Sequence, residues 1–357
     1  MIKRRKSRQI AVGHVLIGGD APISIQSMTT AFTHDVDATL TQIQALAQTG
    51  CDLVRVAVPE KEDAEALPEI AQRAPIPVIA DVHFDYRFAL LALDSGAACV
   101  RINPGNIGSS EKIAEIVRYA KIKKIPLRIG VNAGSLEKKF IKRDGRPTAT
   151  GLVESAVAHV EFLESLGFFD FKISVKSSDV LMAVEAYREL SQRVDYPLHL
   201  GITEAGTISQ GTVKSAVGIG ILLFEGIGDT IRVSLTADPV KEVGVGWDIL
   251  KTLGLRERGV VLVSCPSCGR CAHDFIDIVN EIEQDLQKFT DPLKVAVMGC
   301  EVNGPGEARD ADIGIAFGDR EGLLFRKGEK IKKVSRQEAK SALLAEIKRI
   351  QQANQGD

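Results

Sequence analysis

The six residues from Phe171 to Lys176 read Phe-Lys-Ile-Ser-Val-Lys and alternate between apolar and polar side chains. This alternation is typical of a β-strand whose two faces meet different surroundings. The stretch Leu127–Asn132, which reads Leu-Arg-Ile-Gly-Val-Asn, repeats it. A parallel sheet covered by helices is normally apolar on both faces. A closed barrel explains the polar face, because that face points into the lumen while the apolar face packs against an outer ring of helices.

Strands of this kind alternate with amphipathic helical patterns, several of which end near Gly50, Gly96 or Gly167. Eight strands with this rhythm over about 250 residues predict an α/β fold, a TIM-like (β/α)8 barrel spanning residues 1–256. An open doubly wound sheet is the alternative, but no glycine-rich phosphate fingerprint follows the first strand. An exposed antiparallel face would not require the helices between strands. The predicted strands are Ile23–Met28, Leu53–Val58, Val78–Val82, Val100–Asn103, Leu127–Asn132, Phe171–Lys176, Leu198–Glu204 and Ile231–Leu235.

The sequence pattern of residues 257–357 no longer alternates strands and helices regularly, and it predicts a smaller α+β domain. We expect strands at Val260–Val263 and Lys294–Met298, a helix at Asp274–Lys288, and a closing helix at Gln337–Gln352 with one apolar stripe. Both strands lead directly into cysteines. Metal ligands of this domain would therefore lie on loops at strand ends.

The polar face of the barrel strands is rich in cationic side chains. So many cations converging at strand ends require an anion, and a diphosphate would serve. The histidines and Asp81 can titrate or hydrogen-bond, and the asparagines can orient a ligand. We expect most of these side chains to contact substrate and the rest to pair with carboxylates. The predicted substrate-binding set is Arg55, Asp81, His83, Arg101, Asn103, Arg128, Asn132, Lys172, Lys176, His199, Arg232 and Ser234.

The loop from Ala133 to Thr150 is longer than the other loops that follow barrel strands. It carries Lys138, Lys139, Lys142, Arg143 and Arg146 around an Asp-Gly pair. A basic loop at this position could act as a mobile lid over an anionic substrate. A solvated charged loop is the equally acceptable alternative.

Four of the six cysteines lie between Cys265 and Glu307. Cys265, Cys268 and Cys271 have the CxxCxxC spacing of bacterial ferredoxins, and Cys300 is a distant fourth. Zinc is the alternative, although four-thiolate zinc sites usually show two CxxC pairs. The spacing favours iron–sulfur but leaves open which four groups bind, because the turn-rich 303–306 segment could return Glu307 towards Cys300. The remaining cysteines, Cys51 and Cys99, lie in apolar strand starts and are predicted to be core residues.

The bulk composition describes an ordinary globular protein, with 26% charged and 45% hydrophobic residues. A net charge of −2 gives no bulk signal for nucleic acid. No apolar run approaches the roughly 20 residues that span a bilayer. The clustered cysteines suit metal binding in a reducing compartment rather than a disulfide scaffold. We therefore expect a cytoplasmic protein that binds neither nucleic acid nor membrane.

Several runs resemble the 4-hydroxy-3-methylbut-2-enyl diphosphate synthases, the iron–sulfur enzymes of the non-mevalonate isoprenoid pathway. The likeness covers the whole chain and is carried by long, specific motifs. The resembling runs are Ser24–Thr29 (SIQSMT), Arg101–Asn106 (RINPGN), Gly201–Gly206 (GITEAG), Ser264–Cys268 (SCPSC) and Met298–Ala308 (MGCEVNGPGEA).

The resemblance implies a specific set of cluster ligands. Three cysteines and one glutamate would hold a 4Fe–4S cluster, and they map to Cys265, Cys268, Cys300 and Glu307. Cys271 is not required by the family pattern and is interpreted as a bystander.

The resemblance also implies a reaction, a reductive ring opening and dehydroxylation of 2-C-methyl-D-erythritol 2,4-cyclodiphosphate. Its diphosphate matches the anion inferred for the lumen. Glu204 in the GITE run would be the catalytic proton donor. Reduced flavodoxin or ferredoxin would supply the electrons. The family works as a homodimer in which the cluster domain of one copy closes over the barrel of the other.

Two other functions remain open at this stage. A pterin-binding barrel transferase with a structural metal domain would hold a metal without redox activity and need no reductant. A non-enzymatic zinc or electron-transfer module would leave the polar lumen unexplained.

Overall fold

The computed structural model describes residues 2–141, 145–266, 268, 274–300, 304–318 and 320–354. The chain divides into two compact units, Met1–Arg256 and Glu257–Asp357. Cys271 and most of the predicted basic loop tip, residues 142–144, lie outside the described residues. Among those that are described, no helix is both long enough and apolar enough to cross a membrane.

The first unit alternates strands and helices as the sequence predicts. Its strands are β1 (Ile10–Val12), β2 (Val15–Ile17), β3 (Ser24–Met28), β4 (Leu53–Ala57), β5 (Val78–Val82), β6 (Cys99–Ile102), β7 (Leu127–Asn132), β8 (Phe171–Lys176), β9 (His199–Leu200) and β10 (Thr230–Ile231). Its helices are α1 (Val36–Gln48), α2 (Lys61–Arg73), α3 (Tyr86–Asp94), α4 (Pro104–Ile107), α5 (Ser110–Lys123), α6 (Ala149–Ser165), α7 (Val180–Arg193), α8 (Ile208–Phe224) and α9 (Pro239–Thr252).

Strands β3 to β10 form one parallel sheet in the order β8-β7-β6-β5-β4-β3-β10-β9. The two edges of this sheet meet, since Ile173 of β8 bridges Leu198, the residue before β9. The Ile173 amide also donates a hydrogen bond to the Pro197 carbonyl at 2.9 Å. The predicted TIM-like barrel is confirmed.

Apolar side chains of the strands pack outward against the helices, where they form the main core. The β1–β2 hairpin adds a second cluster at the opposite end of the barrel from the strand carboxyl ends. There Val12 and Ile17 pack with Leu53, Ile79 and Cys99, which lie at or near the starts of their strands. Cys51 and Cys99 are fully buried, as predicted for core residues.

Strands β9 and β10 are much shorter than predicted. The segment after Leu200 leaves the ladder early, and Glu204 adopts a left-handed backbone with φ of 52°. A strand residue does not adopt positive φ, so β9 cannot reach Glu204. At Gly201 an added Cβ would lie 2.6 Å from both the Arg232 carbonyl oxygen and Lys176 Nζ, which explains the need for glycine there.

The second unit is a mixed sheet in the order β11-β12-β13-β14-β15. The first three strands are parallel, and β13, β14 and β15 pair antiparallel. The β14–β15 turn uses Lys327 and Gly328 with φ of 48° and 82°, the signs that a two-residue hairpin turn requires. The elements are β11 (Val260–Ser264), α10 (Phe275–Leu286), β12 (Leu293–Met298), α11 (Gly304–Glu307), β13 (Ile313–Phe317), β14 (Glu321–Arg326), β15 (Glu329–Ser335) and α12 (Ala339–Asn354).

Candidate active site

Four charged residues of the predicted site lie side by side across the barrel wall. Register pairs join Asp81 to Arg101, Arg101 to Arg128, and Arg128 to Lys172. Each of these four residues is no more than 3% exposed to solvent. The period-two pattern of the strands therefore produces a continuous row of charged side chains across β5 to β8 inside the barrel.

Asp81 lies at the centre of the contacts at one end of this row. Its carboxylate lies 2.8 Å from Arg101 Nη1, 3.2 Å from Arg55 Nε and 3.3 Å from His83 Nε2. Burial alone would raise the pKa of Asp81, but the Arg55 and Arg101 guanidiniums outweigh it and hold that pKa well below its usual range. Asp81 therefore stays ionised and orients both arginines.

The Arg101 side chain needs space from the neighbouring strand. A Cβ added at Gly130 would come within 2.9 Å of Arg101 Nε. Glycine in the middle of β7 thus makes room for the Arg101 guanidinium. This requirement explains why Gly130 stands between the polar residues of the Leu127–Asn132 stretch.

Arg128 and Lys172 carry buried donors without partners. Arg128 Nη2 donates to Ser174 Oγ at 2.9 Å. Arg128 Nε and Nη1 and Lys172 Nζ have no hydrogen-bond partner among the described residues. Burial lowers the pKa of Arg128 well below its usual value, with Arg55 and Arg101 adding repulsion, and burial lowers the pKa of Lys172 to about 8. Unsatisfied buried donors are costly, so these groups are poised to receive an anion.

Lys176 and His199 form a second buried pair towards the carboxyl ends of the strands. Lys176 Nζ lies 3.3 Å from His199 Nε2. The His199 carbonyl oxygen accepts a hydrogen bond from the Tyr187 hydroxyl at 2.5 Å. Burial lowers the pKa of both side chains, and the neighbouring cations lower it further. His199 is therefore a neutral imidazole at neutral pH.

The remaining predicted site residues lie at strand ends with different exposure. Asn103 is buried, and its amide is already used by the Gly105 N–H at 3.2 Å and by Ser135 Oγ at 2.9 Å. Asn132, Arg232 and Ser234 are partly buried, whereas Glu204 is exposed.

Glu242 is a site residue that sequence reasoning missed. It lies on α9, yet its carboxylate is 3.6 Å from Arg232 Nη2 and accepts hydrogen bonds from Ser27 Oγ at 3.0 Å and from the Leu235 N–H at 2.9 Å. An acidic residue in a first helical turn is expected for helix stability alone. The sequence therefore contained no separate signal for this contact.

In the second unit, two of the predicted cluster ligands follow neighbouring strands. Cys265 comes directly after β11 and Cys300 comes two residues after β12, and these strands pair in parallel with Ser264 opposite Val297. The Gly299 N–H donates a hydrogen bond to Cys265 Sγ at 3.2 Å. Cys268 and Glu307 are exposed. Within the described residues no group of three or more His, Cys, Asp or Glu side chains is placed to hold a metal ion.

The donor chemistry of these residues fits an iron–sulfur centre. Thiolates bind such clusters, and backbone N–H groups directed at sulfur help to set their potential. The Gly299–Cys265 contact is of that kind. Thiolates also bind zinc, so the donor chemistry alone does not choose between the two metals.

Comparison with known proteins identifies the family. Residues 7–247 match the GcpE TIM-barrel domain, and residues 261–349 match the GcpE protein C-terminal domain. The chain belongs to the GcpE family. Similar proteins bear the name 4-hydroxy-3-methylbut-2-en-1-yl diphosphate synthase (flavodoxin). One from Geobacter sulfurreducens is 58% identical, over 97% of this chain and 98% of its own length. One from Geobacillus thermodenitrificans is 54% identical, over 98% of this chain and 94% of its own length.

Membership of the GcpE family confirms the predicted family and enzyme class. Among solved structures, a dihydropteroate synthase from Stenotrophomonas maltophilia matches with a TM-score of 0.54 and 14% identity, over 70% of this chain and 97% of its own. A type I 3-dehydroquinate dehydratase from Clostridium difficile matches with a TM-score of 0.52 and 16% identity, over 70% of this chain and 98% of its own. At such identities the likeness shows the barrel fold alone, so it does not favour a pterin-binding function.

Proposed function

We propose that this protein converts 2-C-methyl-D-erythritol 2,4-cyclodiphosphate into 4-hydroxy-3-methylbut-2-enyl diphosphate by reductive ring opening and dehydroxylation. The observation that carries the proposal is the buried row of charged side chains in which donors of Arg128 and Lys172 have no partner within the described part of the chain. A cyclic diphosphate supplies the charge and the oxygen acceptors that these donors require. The names of the GcpE relatives support the same substrate class.

The barrel residues bind and orient the substrate. Arg55 and Arg101 are held by Asp81, so their guanidiniums are preorganised before the anion arrives. The other members of the predicted binding set are Lys176, Arg232, Ser234, the histidines His83 and His199 and the strand-end asparagines. Burial depresses the pKa of Lys172 to about 8. A bound dianion would favour the charged form of Lys172, and the charged lysine would in turn bind the dianion more tightly.

The reaction breaks two kinds of carbon–oxygen bond. In the ring opening the diphosphate leaves with the bonding electron pair as an anion, and the cations of the lumen stabilise it. In the dehydroxylation the departing hydroxyl takes up a proton and leaves as water. Glu204 is the residue we assign to that proton, because it follows β9 at the strand carboxyl ends and is accessible. The electron pair that balances the reaction comes from an external reductant.

The cofactor of this proposal is a 4Fe–4S cluster bound by Cys265, Cys268, Cys300 and Glu307. When bound, it supplies single electrons and Lewis-acid chemistry. Flavodoxin or ferredoxin is the proposed electron donor, in keeping with the relatives' names. The predicted homodimer and the predicted cytoplasmic location remain part of this proposal.

Metal analysis and turnover together test the proposal. Protein purified without oxygen should contain iron and acid-labile sulfide, and it should convert the cyclic diphosphate when a low-potential reductant is present. A Glu204→Gln variant should retain the cluster and substrate affinity but lose turnover, whereas Glu161→Gln on the exposed face of α6 should behave like the wild type. Stoichiometric zinc without sulfide, or iron-loaded protein that never turns over the cyclic diphosphate, contradicts the proposal.

A further inference from the structure

Glu137 lies in the loop after β7 and makes two hydrogen bonds to one face of α6. Its Oε2 accepts from Ser155 Oγ at 2.6 Å, and its Oε1 lies 2.9 Å from His159 Nε2. Residues four positions apart share a helix face, so Ser155 and His159 form a two-point receptor for one carboxylate. The Glu137 and His159 side chains are only 21% and 15% exposed.

The two residues before Glu137 anchor the same segment in other directions. Leu136 is 6% exposed and packs in the barrel core. Ser135 Oγ accepts a hydrogen bond from Asn103 Nδ2 at 2.9 Å. Three consecutive residues therefore attach the loop to Asn103 after β6, to the core and to α6.

The fit of the segment on its surroundings is close. A Cβ added at Gly105 would lie 3.3 Å from the Ser135 carbonyl oxygen and 3.4 Å from Glu137 Cγ. At Gly151, in the first turn of α6, an added Cβ would lie 2.4 Å from the Phe140 carbonyl oxygen. The loop start thus rests directly on α4 and α6, with glycines at both points of approach.

The Asn103 amide is connected to this anchor and to the predicted substrate site. Its Oδ1 caps α4 through the Gly105 N–H, and its Nδ2 bonds Ser135, so neither side-chain atom is free to reorient independently of the loop. Asn132 immediately precedes the loop at the end of β7. The segment therefore holds Asn103 through a hydrogen bond and adjoins Asn132 along the chain.

We infer that Glu137 is a positioning residue for substrate binding, which fastens the start of the 133–150 loop to α6 and thereby sets Asn103 and Asn132 at the mouth of the barrel. This rests on the proposed function for the identity of the substrate. The hydrogen bonds from His159 and Ser155 outweigh the effect of burial and lower the pKa of Glu137 to about 2, so the anchor is a carboxylate throughout the neutral range. The basic residues of the loop, for which a lid and a solvated loop are equally acceptable, follow this attachment along the chain.

The test uses the holoenzyme with Glu137→Gln and, as a matched control, Glu161→Gln on the exposed face of α6. Hydrogen exchange of the amides of residues 136–141 should accelerate about tenfold or more in Glu137→Gln, since local opening limits exchange there. Its KM for the cyclic diphosphate should rise about tenfold while kcat changes less than about threefold, because loss of uniform substrate binding raises KM and leaves kcat unchanged. The affinity for inorganic pyrophosphate should fall in parallel.

Ser155→Ala and His159→Leu each remove one of the two bonds and keep the inference testable if Glu137→Gln does not fold. Each should show a smaller change in the same direction. The combination of Ser135→Ala with Glu137→Gln should raise KM by less than the product of the single effects, because both act through one connection.

Unchanged exchange in Glu137→Gln overturns the anchor. Faster exchange with unchanged KM and pyrophosphate affinity overturns the link to substrate and leaves a structural role alone. If the wild type does not turn over the cyclic diphosphate, the proposed function fails, while exchange and pyrophosphate affinity still decide the inference.

Discussion

Replacing Asp81 by asparagine removes the carboxylate that holds Arg55 and Arg101. The residue is 1% exposed and its ion pairs span 2.8 to 3.2 Å, so the variant leaves two buried guanidiniums without their counter-charge. Removing one partner of a buried ion pair costs about 3–5 kcal/mol, and the remaining amide oxygen places the expected loss near the lower end, about 3 kcal/mol. For a unit of this size each kcal/mol shifts Tm by about 2–4 °C, which gives a drop of roughly 6–12 °C.

Urea denaturation and calorimetry of the two proteins measure this loss. Asp195→Asn is the matched control, because its ion pair with Arg8 has a similar length of 2.9 Å but lies at the surface, with side chains 58% and 42% exposed. Exposed pairs contribute about 0–1 kcal/mol, so the control should hardly change. Inorganic pyrophosphate should reduce the difference in unfolding free energy between Asp81→Asn and the wild type, since a bound anion can replace the missing negative charge.

The pH dependence of the Asp81→Asn effect has a definite sign. The folded pKa of Asp81 is depressed, so its contribution is present above the unfolded value and is lost as the pH falls through the folded one. The difference in unfolding free energy should be constant above about pH 5 and shrink below about pH 4. If Asp81→Asn is as stable as the control at pH 7, the ion pairs do not stabilise the barrel as the geometry implies.

Three further predictions concern other parts of the proposed site. Lys172→Met should raise the unfolding free energy at pH 7 by up to roughly 3 kcal/mol when no anion is bound, because burial has lowered the pKa of Lys172 to about 8. The gain should vanish towards pH 10, where the lysine is neutral in the folded protein. Equal stability of variant and wild type at pH 7 would contradict this prediction. Arg128→Lys should raise KM about tenfold or more through lost guanidinium geometry, with the exposed Arg188→Lys as control; an unchanged KM removes Arg128 from the site. Glu307→Ala should alter the visible spectrum and iron content, whereas Cys271→Ser should leave both nearly intact; loss of the spectrum in Cys271→Ser would show that the ligand set is wrong.

The barrel could be predicted from local sequence pattern because strand periodicity is a short-range property. Alternation in Phe171–Lys176 and Leu127–Asn132 marks which side chains face the lumen, and the structure reproduces both strands at the predicted bounds. The same logic predicted that cationic side chains would gather inside the barrel. The family followed from the motifs and is confirmed by the GcpE matches.

Periodicity also failed where the backbone turned. The predicted strand Leu198–Glu204 shrinks to His199–Leu200, and the left-handed backbone of Glu204 is incompatible with a strand at that residue. The residue types in the GITE run give no indication of that φ value. The same residue types are compatible with a strand that continues to Glu204 and with a strand that ends at Leu200.

The partners of the lumen charges depend on contacts between distant parts of the chain. Asp81 forms ion pairs with Arg55 and Arg101, and Glu242 accepts a hydrogen bond from Ser27, which lies 215 residues away in sequence. The sequence shows that each of these side chains can ionise, but ion pairing depends on distance and burial, which arise only when the barrel closes. For that reason the alternating strands are sufficient to predict a charged lumen, whereas the folded chain alone reveals which donors are satisfied and which, as on Arg128 and Lys172, have no partner among the described residues.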